Sequence, residues 1–94
     1  MTSPAQPYRS TPVFDQDTLP QALRSRHNTK PEVWGVIRVI EGTLTLTYLD
    51  PPSEVVLTPG NPGLIRPQQP HFVTPLGPVK MQVDFYDQPP PLAV

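Results

Sequence analysis

Proline limits this chain more than any other residue: 16 of its 94 positions carry it, from Pro4 to Pro91. Inside a helix a proline removes a donor and collides with the preceding turn, and in a sheet it is confined to edges and bulges. Long helices are therefore excluded, and strands are expected as short pieces between corners. So much proline would also suit disorder, but disorder goes with few aromatic and β-branched residues. Here those residues collect into strand-length blocks. The expectation is an all-β domain with Pro-rich ends.

The central stretch, His27 to Leu49, carries the strongest pattern. A polar segment, Asn28-Thr29-Lys30-Pro31, leads into Val33-Trp34-Gly35-Val36-Ile37-Arg38-Val39-Ile40, too β-branched for a typical helix. Glu41-Gly42 interrupts the run. Thr43 to Leu49 then alternates polar and apolar residues, as a strand with one wet and one dry face does. Two strands about a Glu-Gly turn predict a β-hairpin, glycine supplying the positive φ.

The remaining chain reads as short pieces. Residues 1–11 form an extended arm or an edge strand paired with a second copy, and Val13-Phe14 a short strand. Asp15 to Gln21 has turn chemistry with room for one helical turn, and Gln21 to His27 alternates like a strand. Glu54 to Leu57 and Leu64 to Arg66 are further strands, and another begins near His71. Gly77-Pro78 is expected to turn the chain. From Val79 to Tyr86, Val79, Met81, Val83 and Phe85 face one way; Lys80, Gln82, Asp84 and Tyr86 face the other. Residues 89–94 are expected to be a flexible tail. Roughly seven or eight short strands at this spacing predict a small β-sandwich or jelly-roll barrel over residues 12–88.

Composition narrows the function. Seven Lys and Arg against eight Asp and Glu leave the chain near neutrality, so neither nucleic acid nor an anionic membrane finds a basic face. Without cysteine there are no disulfides, thiolate metal sites or cysteine nucleophiles; a reducing, cytoplasmic home is compatible with this. No run approaches the ~20 apolar residues of a spanning helix, and Met1-Thr2-Ser3-Pro4 does not begin a signal peptide. Ser25, His71 and Asp84 lack any motif that sets a nucleophile on a strained turn, and there is neither a phosphate-cradling glycine loop nor an HExxH zinc motif.

Several segments resemble a known family. Val36 to Leu44 resembles the strand, Glu-Gly and strand that end the first motif of the cupins, which are small jelly-roll barrels. Gly60 to His71 resembles their second motif, from glycine through proline to a histidine at a strand start. More closely, LPQALRSRHNTKPEVWG, VIEGTL, PQQPH and VDFY resemble the small cupin-like domain of tellurite-resistance protein B relatives and of a nitrate-induced bacterial stress protein. That domain occurs alone or ahead of a methyltransferase. The resemblance covers about residues 12 to 88 and implies a cupin-like fold and a role in bacterial tolerance of oxyanions or reactive nitrogen species.

The departures from the pattern are specific. Metal-binding cupins resemble one another in carrying a glutamate seven residues before the motif glycine, and that position here is Gly35. Of their His-x-His pair, His27 lies near the expected place and Thr29 stands where a second imidazole would be. His71 matches its motif. A catalytic metal needs about three protein ligands, and imidazole and carboxylate suit Zn, Fe, Ni or Mn. His27 and His71 supply two; the third would be Asp84 first, or Glu32 or Gln69. A carboxylate inside the barrel would need a cation to offset its desolvation.

Plain structural roles stand beside these. His27 and His71 are equally ordinary strand-end histidines, and Asp84 a surface carboxylate. Gln68 and Gln69 are loop residues or amides offered to an oxyanion, while Lys30 and Arg66 are solvated charges or an anion site. By phase Trp34 lies opposite Gly35, Ile37 and Val39, the interior set, and packs between sheets or at a subunit contact. Arg38 shares its face and pairs with an acid or a partner subunit. The resulting expectation is a metal-binding, homodimeric cupin whose Trp34, Arg38 and arm form the contact, with metal-assisted chemistry on a small molecule. The alternatives are a metal-free small-ligand or regulatory module, or a dimerisation domain.

Overall fold

The computed structural model describes residues 6–93; residues 1–5 of the expected arm and Val94 of the tail lie outside it. The described fold is all-β: β1 (Arg9–Ser10), β2 (Phe14–Asp15), β3 (Trp34–Leu49), β4 (Pro52–Leu57), β5 (Gly63–Ile65) and β6 (His71–Tyr86). Two short 3-10 turns, Gln21–Leu23 and Pro91–Ala93, complete it. No described helix is long and apolar enough to cross a membrane.

Two 16-residue strands, β3 and β6, form an antiparallel ribbon on which everything else is hung. The ribbon is kinked by register shifts between Val39 and Glu41 and between Gly42 and Leu44. Glu41-Gly42 is thus a bulge inside one strand and not the predicted hairpin turn. Residues 34–39 and 44–49 do not pair with each other; both pair with β6. Gly42 has φ +82°, and a Cβ there would collide with the Pro78 carbonyl oxygen, so glycine is required where the ribbon bends. Gly77-Pro78 likewise lies within β6 instead of ending a strand.

The bend lays the two halves of the ribbon face to face. One half runs β5, the first part of β3, the last part of β6, then β1 and β2; the other runs β4, the last part of β3, the first part of β6 and His27. Ile37, Val39, Met81 and Val83 from the first half meet Leu44, Leu46, Leu57 and Val73 from the second. Alternation does the sorting: inward residues of each strand are apolar, and a sheet pair packed this way buries one side of both. Gly63 marks how closely the halves approach, since a Cβ there would lie 2.7 Å from Leu46 and 2.9 Å from Leu57. The architecture is that of a small β-sandwich, as the turn spacing predicts.

Arg9 and Ser10 pair with Phe85 and Asp84 of their own chain, so this part of the arm completes the domain's own sheet. Pro90, at the start of the tail, is fully buried. Residues 21–27 do not form a strand: the 3-10 turn takes Gln21–Leu23, and only His27 joins the sheet, by a single bridge.

Candidate functional site

His27 and His71 are brought together by the backbone. The His27 N–H donates to the His71 carbonyl at 3.0 Å and the His71 N–H to the His27 carbonyl at 2.9 Å, a hydrogen-bonded antiparallel pair. Their ring centroids stand 4.1 Å apart, tilted by 57°. His27 Nδ1 lies 3.0 Å from the Ser25 carbonyl oxygen and His71 Nδ1 2.7 Å from that of Gln69. A carbonyl only accepts, so each Nδ1 carries a hydrogen, and in a neutral ring Nε2 is then the acceptor. His71 is 3% exposed, and burial pushes its pKa down to about 4; the Gln69 hydrogen bond works against that and the neighbouring His27 with it. At neutral pH His71 is an uncharged acceptor.

Both rings line a cavity of about 280 Å³ between the halves of the ribbon. Ile37, Ile65, Val73, Met81 and Val83 form its buried walls, and Tyr8, Arg9, Asn28 and Lys30 are its exposed residues. Gly35 belongs to the lining, its added Cβ meeting Ile65 at 3.4 Å. Leu44, Leu46 and Leu57 are fully buried at one end of the sandwich, and the cavity lies at the histidine end.

Thr29 braces the loops beside the cavity. Its hydroxyl donates to the Arg66 carbonyl and accepts from the Gln68 N–H, both at 3.1 Å. Gln68 has φ 59° and Glu32 φ 66°, left-handed conformations uncommon for residues other than glycine. Where a second imidazole was sought, the chain uses a hydroxyl to clamp 29 against 66 and 68.

Of the residues predicted to carry the site, His27, His71 and Lys30 line the cavity and the others do not. Asp84 lies on the outer face of β6, where Arg38 Nε donates to it at 2.6 Å and Ser10 Oγ at 2.7 Å. Burial raises the Asp84 pKa, but the hydrogen bonds from Arg38 and Ser10 and the Arg38 charge outweigh it, and the carboxyl is held below its ordinary value. The expectation that the polar face of β6 lines the barrel is therefore reversed: the apolar face does, as desolvation favours. Glu32 is exposed and outside the lining. Gln69 contributes its carbonyl to His71 while its side-chain oxygen accepts from the Arg66 N–H, so its amide is occupied locally. Arg66 sits 5.8 Å from the Trp34 ring centroid, a cation–π contact outside the cavity. Among the described residues no cluster of three His, Cys, Asp or Glu could hold a metal ion. The predicted three-ligand set is not assembled, and two imidazoles alone fall short of the about three ligands a catalytic metal takes.

Arg9 and Tyr8 were missed. They reach the cavity only because β1 pairs with Phe85 and Asp84, more than 70 residues away (the Ser10–Asp84 separation is 74), and no local pattern announces that.

The family model described as the TehB-like domain matches residues 9–83. The chain belongs to that family. A 49-residue stretch is 37% identical to the probable S-adenosyl-L-methionine-dependent methyltransferase TehB of Haemophilus influenzae, covering 52% of this chain and 17% of that protein. The solved structure of H. influenzae TehB superposes with a TM-score of 0.81 at 30% identity, over 92% of this chain and 32% of TehB. The chain thus spans about a third of TehB. A protein from E. coli strain K12 shares the TehB-like fold with a TM-score of 0.82 at 20% identity, and there the match covers 95% of this chain and 96% of the other.

Proposed function

We propose that this TehB-like domain is a small-ligand-binding module whose site is the cavity capped by His27 and His71. The observation that carries it is the pair of imidazoles at that cavity, each with Nδ1 committed to a main-chain carbonyl, the buried His71 ring having Nε2 left to accept. A concave, mostly apolar space with a few convergent polar groups is the usual form of a small-molecule site, and about 280 Å³ suits a compact ligand. The neutral His71 Nε2 asks for an O–H or N–H donor; the walls ask for an apolar body. The stress role implied by the cupin-like resemblance is then capture of a small molecule. In TehB the matched domain is one part of a longer chain, whereas the E. coli protein is almost wholly this domain. That division suits a binding module. Methyl transfer is not assigned to these residues, which offer only antiparallel strands and no glycine-rich strand-to-helix turn.

A divalent ion on the two Nε2 atoms is the second candidate, favoured by one observation. Metal-binding histidines commonly donate their other ring N–H to a carbonyl, which is how both rings are held here.

Side-chain 1H–15N spectra at pH 7 separate the two, with phenol and Zn2+ as probes. Phenol is expected to move the Nε2 signals of both rings without metal. Stoichiometric Zn2+ that moves them instead, and is lost in His27→Ala/His71→Ala, would select the metal. If neither probe perturbs either ring, the binding-module proposal is wrong.

A further inference from the structure

The charge around the cavity says more about what enters it. Arg9 and Lys30 are its only fully charged lining residues, and no carboxylate lines it. The ion pairs among the described residues are Arg38 with Asp84 and Lys80 with Glu41, so neither cavity cation is neutralised by an acid. Both cations are exposed, whereas the opposite extreme of the lining, from Gly35 and Ile37 to His71, is buried. The cavity therefore grades from two cations at its open side to the buried His71 ring and hydrocarbon inside.

Resting on the binding-module proposal, we propose that the ligand is a compact organic monoanion, a hydroxycarboxylate whose carboxylate meets Arg9 and Lys30 and whose hydroxyl donates to the imidazole pair. Low-dielectric walls focus the field of unpaired cations on whatever enters between them. Arginine suits a carboxylate because its planar fork makes two parallel hydrogen bonds to it. The carboxylate is directed to the open side because the lone pair of the buried, uncharged His71 Nε2 repels an anion and accepts only a donor. An inorganic oxyanion fits less well. Ile37, Ile65, Val73, Met81, Val83 and Phe85 would face its hydration shell or strip it without replacement, while an organic body covers them.

The test is calorimetric, at low salt, on the full chain. A series from 3-hydroxybutyrate to 4-hydroxybenzoate is compared with the corresponding neutral amides, with phosphate and selenite alongside. At least one acid is expected to bind about tenfold or more tighter than its amide, and added salt is expected to shrink the difference. In Arg9→Met/Lys30→Met that preference is expected to fall to within about twofold, these two side chains being exposed and outside the core. An amide that binds as tightly as its acid would overturn the anion assignment and leave the binding-module proposal standing. Phosphate or selenite binding tighter than every carboxylate would overturn the organic body. Failure of all these probes in a protein that binds phenol would overturn the hydroxycarboxylate assignment; failure of phenol as well would remove the site itself.

Discussion

His71 and Asp84 are both buried polar side chains of β6, 3% and 6% exposed, and they have opposite fates. Asp84 receives donors from Arg38 and Ser10 and ties β1 to the sheet. His71 commits one nitrogen to Gln69 and leaves the other at a cavity. Burial alone does not mark a working residue. What marks it is an unspent hydrogen-bonding position that opens on space.

The largest expected effect follows from the His71 side. With its pKa near 4 folded and about 6.5 unfolded, the unfolded chain takes up a proton between those values that the native ring refuses. Stability is complete above about pH 6.5 and declines as pH falls towards 4, by roughly 3 kcal/mol from this group. Urea unfolding at pH 7, 5.5 and 4 measures it, and His71→Phe is expected to flatten that limb. Parallel decline in wild type and variant would show that His71 is not set apart by its surroundings.

Asp84 is perturbed in the same direction, its carboxyl held below the ordinary value, so its contribution is also lost on acidification but at a lower pH. Its carboxylate contribution is present above the ordinary aspartate pKa and disappears as pH falls through the depressed folded value, below the His71 window. At pH 7, Asp84→Asn is expected to cost about 2 kcal/mol by urea unfolding while phenol affinity stays within about twofold. The energy is discounted because the Arg38 side chain is 45% exposed. Loss of phenol binding with stability preserved would erase the distinction between the two residues. At the small end, Lys80→Met removes an exposed pair at 3.7 Å from Glu41 on the same outer face and is expected to change stability by less than about 0.5 kcal/mol. A larger change would mean that the outer face is a network and not one staple with solvated neighbours.

The alternation in Val79 to Tyr86 was legible, and so were the interior positions of Gly35, Ile37 and Val39 and the pairing of Arg38 with an acid. The ligand role expected of Asp84 conflicts with that same alternation, which puts Val83 and Phe85 inside and Asp84 on the opposite face. Glu41-Gly42 misled for a different reason. A positive-φ glycine between strands satisfies a hairpin and a bulge equally, and only the approach of Pro78, distant in sequence, decides between them. The contribution of Arg9 was illegible, since β1 is two residues long and its place depends on Asp84 accepting from Ser10. Long-range pairing, more than local propensity, separates what could be read from what could not.

The reciprocal amide bonds between His27 and His71 carry an evolutionary consequence. The spacing of the two rings is inherited from main-chain geometry, so it does not depend on which side chains pave the hollow. A larger or smaller residue at Val73, Met81 or Val83 would therefore reshape the hollow while the amide bonds between His27 and His71 stay in place. On the binding-module proposal, a changed ligand preference is within reach of single substitutions in the walls.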